Sequence, residues 1–384
     1  MFKLYNTQKE IASNLKTFLL NAIPDIRKTQ LKIIPFIIIG MLLSESCVAS
    51  DIAKHLKDEF SEVQHESVVR RITRFFTNKL FNPYLFYDKI IHHVISNYKK
   101  KHTDKRVHII FDHMFSHDNY SVFMITMRIG KSGIPLWFRS FRGKPSDVFQ
   151  EQLIMDGISY VGKLFGNDYE LIFLADRWFN SVNLMKHIAS LNSTFNLRLK
   201  RNIKVLIYDK KEGRKIWKFL DEVKHYEWHS SRYDVLLSED RFEAHIVLSK
   251  KHGTKDPWII VTNGDPKRAI KDYGYRFGGV ETVFKAQKSN GLNLECTCNA
   301  SEMYFTTMYT MACFAHLFMT ILGADYSKNT RVYKNVKIKT HKTTQGKKIR
   351  IMSLFNTGLT LFHLAYQSSK YIRIPYLRTV FKNG

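Results

Sequence analysis

Three acids and one short cationic block hold most of the chemistry available to this sequence. The block spans residues 273–288, Tyr-Gly-Tyr-Arg-Phe-Gly-Gly-Val-Glu-Thr-Val-Phe-Lys-Ala-Gln-Lys, and sets Glu281 among Arg276, Lys285 and Lys288. Glu281 and Lys288 are seven residues apart. On a helix that is two turns, so both fall on one face, roughly 10 Å apart. Two further acids follow compact apolar runs: Val-His-Ile-Ile-Phe before Asp112 and Leu-Ile-Phe-Leu-Ala before Asp176. Carboxylates from separate elements can hold two divalent ions about 3.5–4 Å apart, one activating an attacking hydroxyl and the other stabilising the leaving oxygen. Oxygen ligands suit Mg2+, with Mn2+ as the alternative. Cations beside such a group would meet phosphates, so the pattern points to phosphoryl transfer on a nucleic acid.

The acids need elements to position them. An apolar run closed by an acid reads as a buried strand delivering that acid at its C-terminal end, where α/β folds place chemistry. Residues 120–129 and 134–141 read as two more strands joined in a hairpin across Gly-Lys-Ser-Gly. Pro145-Ser146-Asp147 is expected to open a helix of about 19 residues carrying Phe149, Leu153, Ile154, Ile158 and Val161. A helix follows from Ser181, then a short strand over 195–199 and Lys200-Arg201. Residues 205–208, 215–219, 233–237, 243–248 and 258–262 read as short alternating strands, a β-rich insertion over 202–263. Asp265-Pro266 supplies an N-cap with proline at the first helical position and leads into the cationic block.

The first hundred residues read as helical, with breaks at Pro24, Pro35 and Pro83. Ser50 is the expected N-cap of a short helix through Ile52, Ala53 and Leu56. A second helix over 66–76 puts Val68, Ile72, Phe75 and Phe76 on one face and Arg70, Arg71 and Arg74 on the other. A short helix, a turn and an arginine-faced helix look like a helix-turn-helix reader of DNA, against the plainer reading of a solvated face. The apolar run at 33–43 is too short to span a membrane. The one at 303–324 is interrupted by Thr306, Thr307, Thr310, His316 and Thr320, so a buried core helix is expected there. The division is therefore a helical DNA-binding region (1–100), two parts of a catalytic core (101–201 and 264–325) around the insertion, and a basic C-terminal region (326–384). That last region has thirteen Lys or Arg and no acid, and residues 332–339 alternate as a half-exposed strand would.

The totals agree with a polyanion partner. The chain has 384 residues, enough for two or three domains, and 60 Lys and Arg against 34 Asp and Glu give a net charge of +26. Each phosphate neutralised by such a protein releases condensed counterions. Cys47, Cys296, Cys298 and Cys313 include a lone Cys-x-Cys, which argues against a structural zinc site and for buried thiols in a reducing compartment. The N-terminal residues lack the pattern of a signal peptide. Trp178, beside Asp176, has two readings, a platform for a displaced base or a packed core residue.

The block at 273–288 with its continuation Ser-Asn-Gly-Leu-Asn-Leu-Glu resembles the Tyr-Arg-Glu-Lys signature of DDE transposases of the insertion-sequence-four family. Leu174-Ala175-Asp176-Arg177 resembles that family's second-acid motif and Ile109-Ile110-Phe111-Asp112 its first, so the likeness covers roughly residues 100 to 300. The resemblance implies an α/β fold: an RNase-H-like core with a β-rich insertion before the glutamate, preceded by the all-α region. It implies Asp112, Asp176 and Glu281 as catalytic metal ligands, and Tyr273, Arg276 and Lys288 as contacts to phosphates at the transposon end. Arg70, Arg71 and Arg74 would add DNA contacts. The family usually places three residues between its arginine and glutamate. Here four separate Arg276 from Glu281, which would turn a continuous helix by about 100°. Gly278-Gly279 would absorb the difference by starting the helix after the arginine. The implied activity is excision of a mobile element and joining of its 3′ ends to target double-stranded DNA. A homodimer is expected because two ends must be joined, in a cytoplasmic, nucleoid-associated bacterial protein that needs no membrane. The alternatives are another RNase-H-like nuclease and a non-catalytic DNA-binding protein derived from a transposase.

Overall fold

The computed structural model describes residues 7–56, 62–100, 104–115, 120–144, 150–223, 230–249, 257–288, 291–296, 301–328, 340–342, 348–350 and 352–368. Five helices come first: α1 (Thr7–Ala22), α2 (Lys28–Ser44), α3 (Ala49–Lys54), α4 (His65–Phe76) and α5 (Pro83–Lys99). Strands β1 (Arg106–Phe115), β2 (Tyr120–Ile129) and β3 (Ser132–Arg142) follow, then α6 (Glu151–Phe165), β4 (Glu170–Ala175), α7 (Val182–Ser190) and β5 (Thr194–Arg198). Five more strands are β6 (Lys204–Asp209), β7 (Arg214–Phe219), β8 (Ser230–Leu237), β9 (Phe242–Ser249) and β10 (Trp258–Thr262). The chain continues through α8 (Ala269–Gly274), a 3-10 turn (Tyr275–Gly278), α9 (Val280–Lys288), α10 (Glu302–Lys328), the hairpin β11 (Thr340–Lys342) and β12 (Lys348–Arg350), and α11 (Leu354–Ser368). The protein is thus α/β, with N-terminal helices and a large mixed sheet.

That sheet has ten strands in the order β3-β2-β1-β4-β5-β10-β9-β8-β6-β7. β1 pairs antiparallel with β2 and parallel with β4, and β4 pairs parallel with β5. The five strands expected as an insertion all form. They do not fold into a separate sheet, because β10 pairs directly with β5 and carries the central sheet outward. The register also sorts the faces, since paired residues point the same way. Ile110 lies beside Leu174, Leu174 beside Asn196, Asn196 beside Thr262, and Arg198 beside Ile260. Counting two residues on from Ile110 and Leu174 puts Asp112 and Asp176 on this same face. α8 and α9 cover it, and α10 covers it at the β3 edge, while α6 packs on the reverse through Gly157 against Ile125 and Trp137.

Several local expectations shift. β1 does not stop at Asp112; it runs to Phe115 because β2 goes on pairing with it as far as Phe115 and Ser121. On the other side the pairing with β4 ends at Ile110, so Asp112 lies just past its parallel neighbour. Pro35 does not break a helix but sits inside α2, where burial of residues 34–43 outweighs one missing backbone hydrogen bond. Ser50 is not an N-cap: α3 starts at Ala49 with Val48 in the cap position, and Ser46 Oγ accepts from the Val48 N–H instead. Asp265 opens a turn, its Oδ1 accepting from the Lys267 N–H, and α8 begins only at Ala269. Ser181 does cap α7, accepting from the Leu184 N–H. The helix opening at Pro145, Phe149, the strand expected over 332–339 and Cys298 lie outside the described residues.

α10 ties the helical part to the sheet. It is long and apolar enough to cross a membrane, yet its apolar stretch is wholly buried inside the fold. It packs on β3, on α2, α4 and α5, and most extensively on α11. Gly323 of α10 and Gly358 of α11 face each other so closely that a Cβ on either would stand 1.9 Å from the opposing backbone, at Leu354 O and Met319 O. Only glycine permits that approach. One hydrophobic core runs from Ile11 to Phe362, so the helical region shares its interior with the sheet.

Candidate functional site

The site is built where β1, the end of β4 and the start of α9 meet. The chain leaves α8 through the 3-10 turn and reverses at Gly279, whose backbone sits against β1 with an added Cβ only 2.0 Å from Ile110 Cδ1. α9 starts at Val280, one residue before Glu281, so the arginine and the glutamate occupy two separate helical pieces. The geometry that follows puts one guanidinium among three acids. Arg276 Nη2 donates to Asp112 Oδ2 at 2.6 Å, Nη1 donates to Glu281 Oε1 at 2.9 Å, and Nη2 lies 3.9 Å from Asp176 Oδ2.

The electrostatics follow from burial. The Arg276 side chain is only 8% exposed. Burial by itself would lower the Arg276 pKa, but Asp112, Tyr273, Asp176 and Glu281 outweigh it and raise it. Burial pushes the Asp112 carboxyl up, and the Asp176 charge adds to this, against Arg276 and the His113 N–H that donates to Asp112 Oδ1 at 2.9 Å. Asp112 is therefore a costly carboxylate that Arg276 keeps tolerable. Arg276 Nε is buried without a protein acceptor, which leaves one strong donor over.

A second set of contacts holds the 3-10 turn in place. Asp272 of α8 is 3% exposed and accepts from Arg106 Nη2 at 2.7 Å, with His108 Nε2 at 3.1 Å. Both partners lie on β1, so α8 is pinned to the strand that carries Asp112. Tyr275 is held between the His108 ring, centroids 4.8 Å apart, and the Arg128 guanidinium, 4.0 Å from its ring centre. Sequence reasoning missed this clamp, because an Arg, a His and an Asp at such separations carry no local signature.

The expected residues divide into groups. Asp112, Asp176, Glu281 and Arg276 are brought together. Lys288 shares α9 with Glu281, and its Nζ lies 3.5 Å from Glu295 Oε1. Tyr273 is 1% exposed and packs against Trp258 and Phe277, so it offers little surface for a phosphate contact. Burial pushes its phenol up to about 12. Trp178 is 53% exposed, which removes the packed-core reading, and its backbone N–H donates to Asp176 Oδ1 at 2.8 Å. Arg70, Arg71 and Arg74 are exposed on α4 opposite the buried Val68, Ile72, Phe75 and Phe76. Cys47 and Cys313 are buried free thiols, and burial raises Cys47 to about 12.

A cleft of about 210 Å³ was not anticipated. Arg177, Arg198, Lys200 and Arg201 line it with Asn202 and Pro257, and among the described residues no acid does. Arg177 directly follows Asp176, so the cleft adjoins the second acid. Its signal was present in Arg177 and Lys200-Arg201, but only the fold joins them.

Among the described residues, no three His, Cys, Asp or Glu side chains come close enough to hold a metal ion as they stand. The shared positive charge at the acids is Arg276. The donor set still fits a hard divalent cation in chemistry: three carboxylates, from three elements, converge on one cationic group. No protein-family model matches the chain, and no curated protein matches it significantly.

Proposed function

We propose that the protein is a DNA transposase that cuts a mobile element from donor DNA and joins its 3′ ends to target DNA by metal-dependent phosphoryl transfer. The observation that carries this is the convergence of Asp112, Asp176 and Glu281 on Arg276 from two neighbouring parallel strands and a distant helix. The order β3-β2-β1-β4-β5, with the first three antiparallel and the last three parallel, supports an RNase-H-like core. The net charge of +26 and the four cations that line the cleft beside Asp176 support a polyanionic substrate.

Asp112, Asp176 and Glu281 would hold Mg2+ or Mn2+, which when bound supplies Lewis-acid activation of the attacking and leaving oxygens. The chain's own residues do the rest. Lys288 and the cleft residues Arg177, Arg198, Lys200 and Arg201 hold the phosphates on either side of the scissile bond. Arg276 orients the carboxylates, and its unused Nε is a donor that a phosphate oxygen would satisfy. Trp178 lies exposed at the second acid, where a base next to the cut can stack. Two copies act together, one at each element end, in the bacterial cytoplasm at the nucleoid.

Excision of a marked element from a plasmid tests the reading. Asp112→Asn, Asp176→Asn and Glu281→Gln should each lower excision by roughly a thousandfold or more while still binding duplex DNA. Near-normal excision by any one of them removes that acid from the site. Lys288→Ala should weaken end binding and reduce the slope of log affinity against log salt by about 0.9. An unchanged slope would end its phosphate role.

A further inference from the structure

On the face of the sheet that carries Asp112, the helical cover ends early. Tyr273 and Ala269 of α8 lie over Val247 of β9 and Ile260 of β10. Beyond them β6 and β7 present Tyr208, Trp217 and Phe219, which are 57%, 47% and 37% exposed. The register puts all three on one surface: Tyr208 faces Lys215, Leu206 faces Trp217, and Lys204 faces Phe219 across the strand pair. Leu206 pairs in turn with Leu236 of β8, and Leu236 with Glu243 of β9, four residues along each strand from the Arg232–Val247 pair that lies under α8. The bare surface therefore continues the face that holds the acids. The reverse of the hairpin is closed at β6, where Val205 and Ile207 are buried, and half-covered at β7, where Ile216 and Lys218 lie.

Three large rings exposed side by side mark a contact surface. The charge around them selects the partner. Residues 200–219 contain eight Lys or Arg against two acids, Asp209 and Glu212. Asp209 is engaged by Lys218, and Glu212 lies 3.7 Å from Arg214. Lys204 Nζ stands 4.7 Å from the centre of the Phe219 ring, and Lys204 and Lys215 are both exposed. Farther along the same face β8 and β9 add Arg232, Asp234 and Glu243, but at β6–β7 a second copy would bring lysines against lysines, and charged edge strands such as β7 resist that pairing. Aromatic faces interleaved with lysines match unpaired bases and their phosphates, because every base has a face to stack while a closed duplex hides its own.

We infer that the β6–β7 face binds an unpaired DNA strand, stacking bases on Tyr208, Trp217 and Phe219 and meeting phosphates with Lys204 and Lys215. The inference rests on the DNA reading of the three-acid centre and extends it by naming a single-strand surface. It gives that strand a direction, outward from Asp176 past the cleft of Arg198 and Lys200.

The test uses the full chain in chelator, so that nothing is cut, with a labelled oligothymidine and a random duplex of equal length. Tyr208→Ala with Trp217→Ala should weaken oligothymidine binding at least about tenfold, since each ring contributes roughly five- to 150-fold. Duplex binding should change less than about threefold. Lys204→Gln with Lys215→Gln should reduce the oligothymidine salt slope by about 1.4, two phosphates' worth. Circular dichroism confirms that each variant is folded. Unchanged oligothymidine affinity in the aromatic variant, or equal losses for both DNAs, overturns the assignment. So does sedimentation showing a wild-type dimer that the aromatic substitutions dissolve, which would make the face a self-interface. If the wild type binds neither DNA, the proposed function falls along with it. If it binds and excises normally while the variants keep their oligothymidine affinity, only the β6–β7 assignment falls.

Discussion

The inner and outer halves of the ten-stranded sheet share one hydrogen-bonded ladder but differ in cover. Strands β3, β2, β1, β4 and β5 lie between helices on both faces. Strands β8 and β6 bury one face and leave the other bare, and β7 at the edge has one half-buried face and one exposed face. The inner half holds three carboxylates within reach of one guanidinium. Like charges stay together only when their supports cannot relax, and a strand packed on both faces cannot move without disturbing every neighbour. The outer half has one free surface, so contacts there can form and break at small cost to the fold. A centre that concentrates charge needs the first kind of support, and a surface that receives a long polymer suits the second.

The largest effect expected of a single change lies in the clamp under the acids. Asp272→Ala leaves Arg106 and His108 without their buried carboxylate and should cost about 3 kcal/mol in chemical denaturation. Adding Arg106→Met should recover part of that loss. A cost below about 1 kcal/mol would show the inner half to be less constrained than its contacts indicate. Next is Gly279→Ala, whose Cβ would meet Ile110 Cδ1 at 2.0 Å and should cost about 1–3 kcal/mol. Ile110→Val in the same chain should relieve it, because the obstructing atom is the tip of that side chain. Failure of the second substitution to rescue would mean that the backbone at Gly279, not the contact, sets the cost.

The third effect depends on pH. His316 of α10 is 1% exposed, bonds through Nε2 to Gly133 O of β3 at 3.2 Å, and stacks on Phe355 with centroids 4.8 Å apart. Burial lowers its pKa to about 4, against an unfolded value near 6.5. Between those values the unfolded chain holds the proton that the folded chain refuses. Stability is therefore full above pH 6.5 and falls as pH drops toward 4, by about 2 kcal/mol at pH 5. His316→Gln should flatten that part of the stability profile, and an unaltered slope would assign the acid sensitivity elsewhere.

The acid-bearing strands of the inner half were legible in sequence because they are compact, largely apolar runs, 107–111 and 171–175, with an acid after each. The outer half was legible as alternation, and all five of its strands form close to where expected. Pairing was not legible. That β10 joins β5 depends on which edge is open after β5 forms, a question of tertiary competition that spacing does not encode. The same limit applies within the site. Asp112, Asp176 and Glu281 could be named from their runs and from the block at 273–288, and Gly278-Gly279 signalled where α9 begins. The position of Arg276 depends on how the 3-10 turn is anchored. Asp272, Arg106 and His108 set that anchor across more than 160 residues, as the separations of 166 and 164 show.

The smallest expected effect on stability separates the two halves most sharply. Tyr208→Ala with Trp217→Ala removes two large rings from the bare face and should change the unfolding free energy by no more than about 0.5 kcal/mol per site, as for surface positions generally. Area alone would argue for more if these rings were packed on neighbours, but more than a third of each lies in water. A loss above about 2 kcal/mol for the pair would mean that the outer face is structural. In that case the exposed rings would stabilise the hairpin itself, and the sheet would be one constrained unit from β3 to β7. A near-zero change, with single-strand affinity lost, would leave no folded-state role for two aromatic residues standing among lysines. Binding would then be the property that accounts for their presence on that face.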